Sequence, residues 1–98
     1  GPDEYTFDKT IVPVRLAIHE GEKLVSRSQA KRLTLRFEKF RHVILDFDGV
    51  NEIGQAFADE VFRVFQTAHP NTLMAPVHMT PAVASMVSRA RSGMKGQI

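Results

Sequence analysis

Val43 to Phe65 reads VILDFDGVNEIGQAFADEVFRVF, and three changes of texture within it decide the fold. Val43 to Leu45 is a short, continuously apolar run, the pattern of a strand at the centre of a sheet. Asp46-Phe47-Asp48-Gly49 leaves that strand through a turn, because Asp side chains bond nearby backbone and Gly supplies the bend. From Ala56 to Ala68 the apolar residues recur at helical spacing, which predicts a helix burying Phe57, Val61, Val64, Phe65 and Ala68. A buried strand, a turn and an amphipathic helix in that order place the chain among the α/β folds.

Upstream, Thr10 to His19 (TIVPVRLAIH) alternates, with Val12, Val14, Leu16 and Ile18 on one face, and predicts a strand. Pro13 has no ladder N–H and belongs at a sheet edge or a bulge. His19-Glu20-Gly21-Glu22 follows as a turn. Ser26 and Gln29 have the spacing of a capping box, so a first helix is expected from there to about Phe40, burying Ala30, Leu33, Phe37 and Phe40. Downstream, His69-Pro70-Asn71 ends the second helix and Thr72 to Val77 reads as a weaker strand. Thr80-Pro81 then caps a third helix with Val83, Met86, Val87 and Ala90 inward. The predicted order is β-α-β-α-β-α, preceded by a short Tyr5 to Phe7 strand paired with Thr10 to His19. Right-handed crossovers make this a small mixed sheet with helices mainly on one side. Residues 1–9 are expected as a lead-in, 10–91 as the domain and 92–98 as a flexible tail.

Ninety-eight residues suit one domain. With no Cys, disulfides and thiolate metal sites are excluded. No apolar run approaches the roughly 20 residues that span a bilayer, and the first ten residues lack the regions of a signal peptide, so a cytoplasmic module without membrane contact is expected. The opening Gly1-Pro2, without an initiator Met, reads as a scar of tag removal, and the natural protein is expected to extend upstream.

The net charge of +2 conceals blocks: −2 over Gly1 to Ser26, +5 over Arg27 to Arg41, −5 over His42 to Glu60 and +4 over Val61 to Ile98. A basic segment suggests nucleic acid. Here the basic residues share a helix whose Phe37 and Phe40 fall on the apolar stripe and not among the arginines, so the interleaved aromatics that stack bases are missing. A solvated helix face is the simpler reading.

Arg27 to Leu33 (RSQAKRL), the strand LDFDGV and Gly54 to Phe65 (GQAFADEVFRVF), at these separations, resemble the STAS-like domain family of unassigned function. That family is related to the sulfate-transporter and anti-sigma-factor-antagonist domains. The resemblance implies a non-enzymatic interaction module in bacterial regulation, transcriptional or stress-related. It also implies protein partners, a histidine-kinase-type ATPase among them, and links to DNA-binding domains in some members. In the wider family a Ser at the helix start after the central strand is phosphorylated to block binding. The matching positions here are Gly54-Gln55-Ala56, and no Ser or Thr occurs from Asn51 to Gln66, so the phosphoserine switch is not expected.

Two rival readings carry different chemistry. The first is a DNA-associated regulator whose basic helix Arg27 to Arg41 touches phosphates. The second rests on Ile44 to Val50 (ILDFDGV), which resembles the first motif of haloacid-dehalogenase-type phosphatases, with Asp46 as nucleophile and Asp48 as acid and base beside Mg²⁺. Such an enzyme also needs a phosphate-holding lysine and a downstream acidic pair, yet no Asp or Glu follows Glu60 and only Lys95 lies beyond Lys39. His19, His42, His69 and His78 never come close enough in sequence for an i,i+4 ligand pair. There is no Gly-x-Ser-x-Gly elbow and no glycine-rich phosphate loop followed by Lys-Ser/Thr. No enzyme activity, cofactor or metal is expected.

In this topology the helices that follow parallel strands begin at one edge of the sheet. Arg27, Ser28 and Gln29 should therefore lie near Gln55, Asp59 and Glu60, with Arg63 one turn on. Such a corner serves either as an internal ion-pair cluster or as the surface where a partner docks.

Overall fold

The structure is a computed structural model that describes residues 7–19 and 22–95. Strand β1 (Phe7–Pro13) is followed by a 3-10 turn (Val14–Ala17) and helix α1 (Arg27–Leu35). Strand β2 (Phe40–Asp46) leads to a longer helical segment, here α2. It begins as Gln55–Asp59, widens into a π-helical stretch Glu60–Phe65 and closes with Gln66–Ala68. Strand β3 (Leu73–Val77) and helix α3 (Pro81–Lys95) complete the described chain. The three strands form one parallel sheet in the order β1-β2-β3, so the apolar run Val43 to Leu45 is indeed central. The antiparallel partner that would make the sheet mixed was expected at Tyr5 to Phe7. Phe7 instead begins β1, and the rest of that segment lies outside the described residues.

A sequential strand order with right-handed crossovers sends every connection to the same face. The core accordingly lies between that face and the helices: Val12, Val14, Val43, Leu45 and Phe47 from the sheet side meet Ala30, Leu33, Phe37, Phe57, Val61, Phe62, Val83 and Val87. Capping follows the sequence. The Ser26 Oγ accepts the Gln29 N–H at 3.2 Å while Gln29 Oε1 accepts the Ser26 N–H at 2.9 Å. Thr80 Oγ1 accepts the Val83 N–H at 3.1 Å and donates to the Asn51 carbonyl at 2.7 Å, tying α3 to the loop after β2.

Four expectations about boundaries and faces are corrected. The first strand stops at Pro13, where the ladder loses a donor, and the chain coils into the 3-10 turn, leaving Leu16 exposed and not inward. Helix α1 ends at Leu35 through tightened bonds, Arg36 N–H to Leu33 O and Phe37 N–H to Thr34 O, because Phe40 is already extended as the first residue of β2. In α2 the π-helical stretch, with more residues per turn than an α-helix, rotates the buried stripe. Phe62 is fully buried, Val64 only half-buried and Ala68 exposed. Helix α3 runs through Lys95, taking in four residues of the expected flexible tail, and residues 96–98 lie outside the described residues.

The edge of β3 is closed to further strand pairing. Because the Val77 carbonyl accepts the Phe47 N–H on the β2 side, the alternation of the ladder turns the backbone groups of Met74 and Pro76 away from β2, while the Met74 side chain stays in the core. The Met74 carbonyl accepts from Arg91 Nη2 at 3.1 Å, and Pro76 has no N–H to offer. No helix among the described residues is long and apolar enough to cross a membrane.

Candidate functional site

The starts of α1 and α2 are brought together by a backbone contact. The Gly54 N–H donates to the Leu24 carbonyl at 2.8 Å, and a Cβ at Gly54 would stand 2.9 Å from the Val25 Cα and 3.1 Å from its Cβ. Only a residue without a side chain allows that approach. We therefore expect Gly54→Ala to lower stability by about 1–3 kcal/mol, since the clash is with backbone and the neighbour cannot swing away. Urea denaturation measures this, and an unchanged midpoint would show that the Leu24-Val25 loop yields freely.

Around this junction the predicted residues assemble, though not all in one role. Arg27 Nη1 donates to Asp59 Oδ2 at 2.8 Å and lies 3.4 Å from Glu60 Oε1. Arg63, one turn on, grips the same Asp59 carboxylate with two parallel bonds, Nη2 to Oδ2 at 2.7 Å and Nε to Oδ1. Asp59 thus bridges two guanidinium groups, and first Arg63, then Arg27, hold its carboxyl well below the usual range, at about 2. Both arginines remain partly open to solvent, with side chains 49% and 38% exposed against 18% for Asp59. Glu60 is buried, and its carboxylate faces the Arg27 guanidinium.

Gln29 is spent on structure. Its Oε1 accepts the Val25 and Ser26 N–H groups at 2.7 and 2.9 Å and its Nε2 donates to the Lys23 carbonyl at 2.7 Å, which closes the loop ahead of α1. Ser28 is exposed and its hydroxyl lies 3.2 Å from that of Ser26. Gln55 is exposed at the first position of α2 and lines, with Asp59, Met86, Arg89 and Ala90, a crevice of about 50 Å³ against α3. Arg89 is a neighbour of the corner that sequence separation concealed. The result is a polar patch with exposed Ser28 and Gln55 flanking two half-open guanidiniums. Its central carboxylate stays ionised far below neutral pH and so has no proton to give there.

The basic run of α1 is partly consumed. Besides Arg27, Arg32 Nη2 lies 3.3 Å from Glu22 Oε1 and 3.5 Å from the Ala17 carbonyl. Among the histidines, His19 meets Arg32 at 3.2 Å, and His69 stacks on Phe65 with ring centroids 4.2 Å apart. His78 holds a left-handed backbone (φ 56°) and places Nδ1 2.9 Å from Asp46 Oδ1. The same oxygen accepts the Asp48 N–H at 2.9 Å, so the Asp-Phe-Asp-Gly segment is a tied turn, with Gly49 at φ 82°. The Asp48 N–H and then His78 depress the Asp46 carboxyl, and Asp46 raises the His78 imidazole. Nothing in the local sequence around either residue marks this pair. Its signal is the parallel register, which sets Asp46 beside Val77 and so brings the residue after β3 to the end of β2.

A recess of about 570 Å³ lies away from the corner beside β3 and is lined in part by His42, Gln66, Thr72, Leu73 and Met74.

A family model described as a STAS-like domain of unknown function (DUF4325) matches residues 29–84, more than half of the chain and most of the corner. No match is found among curated proteins or among solved structures.

Proposed function

The chain belongs to the STAS-like domain family of unknown function, and on that premise we propose that it is a non-enzymatic protein-interaction module of bacterial cytoplasmic regulation, acting in transcriptional or stress signalling. The partner class is a kinase-like ATPase, and the docking surface is the corner where α1 and α2 begin. One observation carries this reading. Two helix first turns are locked side by side by Gly54 and Asp59, presenting Arg27, Ser28, Gln55 and Arg63 as one rigid polar patch. A preorganised patch loses little conformational freedom on binding. With no hydroxyl between Asn51 and Gln66, control by phosphorylation at the start of α2 is not part of the proposal.

Glu60 and Gln29 are buried, so substitutions there test folding. Ser28 and Gln55 are exposed first-turn residues and are the proper probes. Titration of the domain with a histidine-kinase-type ATPase of its own genome is expected to show binding that Ser28→Arg and Gln55→Arg each weaken about tenfold, with the melting temperature held within a few degrees. Unchanged affinity in both variants places the docking surface elsewhere. Duplex-DNA binding that falls steeply with salt would favour the nucleic-acid reading instead. Mg²⁺-dependent phosphatase turnover lost in Asp46→Asn would overturn the non-enzymatic one.

A further inference from the structure

Parallel strands are normally covered on both faces, whereas here the helices occupy one. On the other face the register sets three rows side by side: Lys9, His42 and Leu73; Ile11, Ile44 and Ala75; Pro13, Asp46 and Val77. Ile11 and Leu73 are 62% and 61% exposed, although Val43 and Leu45, which alternate with these rows on β2, are fully buried. We propose that this bare face binds a second copy of the chain, forming a symmetric dimer. Its two-fold axis would lie in the interface and run across the strands along the row of Ile11, Ile44 and Ala75.

The choice of occupant follows from how the face is laid out. The basic groups, Lys9 and His42, sit at its N-terminal end, the acidic Asp46 sits at its C-terminal end, and the row between them is apolar. A two-fold axis across the strands reverses the rows. Ile44 then meets Ile44, Leu73 meets Val77, and His42 meets Asp46 of the second copy, with Lys9 next to it. A two-fold axis along the strands would set Asp46 against Asp46 and His42 against His42, so charge selects the first arrangement. Asp46 is fixed in orientation within its own chain: its Oδ1 takes the Asp48 N–H and His78, and the Arg15 charge acts on the same carboxylate.

Strands about 4.8 Å apart, of seven, seven and five residues at about 3.3 Å each, offer roughly 300 Å² of flat area. That is below the roughly 800 Å² per partner of a standard stable interface, so the dimer is weak and concentration-dependent. The inference rests on the sheet and not on the helix corner, and either can fail alone.

Sedimentation equilibrium over a wide concentration range tests it. The parent chain is expected to rise from monomer mass toward twice that mass. Ile11→Glu, at an exposed position, should stay monomeric, and His42→Asp, which sets like charges across the axis, should weaken association about tenfold. Leu35→Glu, exposed on α1 away from the sheet, should associate as the parent does. Circular dichroism establishes that each variant is folded, and should His42→Asp not fold, Ile11→Glu decides. A chain that is monomeric at every concentration overturns the proposal, as does association undiminished in Ile11→Glu.

Discussion

Replacing Phe65 with alanine is expected to remove about 3–5 kcal/mol of folding free energy, the range for truncating a buried aromatic. Phe65 is 6% exposed, sits edge-on to Phe37 with ring centroids 5.2 Å apart, and stacks on His69 at the end of α2. It therefore joins the turn that follows α1 to the C-terminal end of α2, and its loss leaves a cavity between two segments that cannot collapse independently. Domains of this size hold only about 5–15 kcal/mol in total, so the variant should have a sharply lowered urea midpoint. Val64→Ala is the informative control. On an uninterrupted helix Val64 would share the inward stripe, but the π-helical stretch turns it half out to solvent, and its truncation should cost well under half as much. Equal costs at the two positions would mean that the helix keeps α-helical phase through Glu60–Phe65.

That comparison marks where the sequence stops being legible. Strand and helix types follow from apolar spacing, and the capping residues Ser26, Gln29 and Thr80 act as their chemistry dictates. A π-helical insertion leaves no such trace. Its cost is met by packing in three dimensions, so the expected inward residues Val64 and Ala68 gave way to Phe62. Strand ends were misjudged where a local event overrode alternation, as at Pro13. The corner was legible because topology alone brings Arg27 beside Asp59 and Glu60. The separate fates of Gln29 and Ser28 were not, since neighbours on one helix turn can face the loop or the solvent. The bare sheet face was hidden for a related reason. Ile11, Ile44 and Leu73 look like core residues in sequence, and only the order β1-β2-β3 shows that no element of the described chain covers them.

Asp59→Asn is expected to cost about 2 kcal/mol near neutral pH, through the charge that its two arginines stabilise. Asparagine keeps the volume and loses the anion, leaving Arg27 and Arg63 facing each other across a neutral amide. The size follows from linkage: a carboxyl depressed from 3.8 to about 2 binds its proton more weakly in the folded chain, by about 2 kcal/mol. The direction with pH is fixed by the same depression. Above about pH 4 both folded and unfolded chains carry the ionised group and its full contribution is present. As pH falls below the unfolded value the unfolded chain takes up the proton first, and the contribution shrinks until it vanishes below about pH 2. The parent and Asp59→Asn curves of stability against pH should therefore run parallel from pH 5 to 8 and converge between about pH 4 and 2. Salt should narrow the gap only modestly, because the carboxylate is shielded even though its arginines are half open. Curves that stay parallel down to pH 2 would show that the asparagine variant fails through packing and that the bridging charge contributes little. A gap near zero at pH 7 would mean that the two arginines gain as much from water as from Asp59, and the corner's rigidity would then have to come from the Gly54 contact alone.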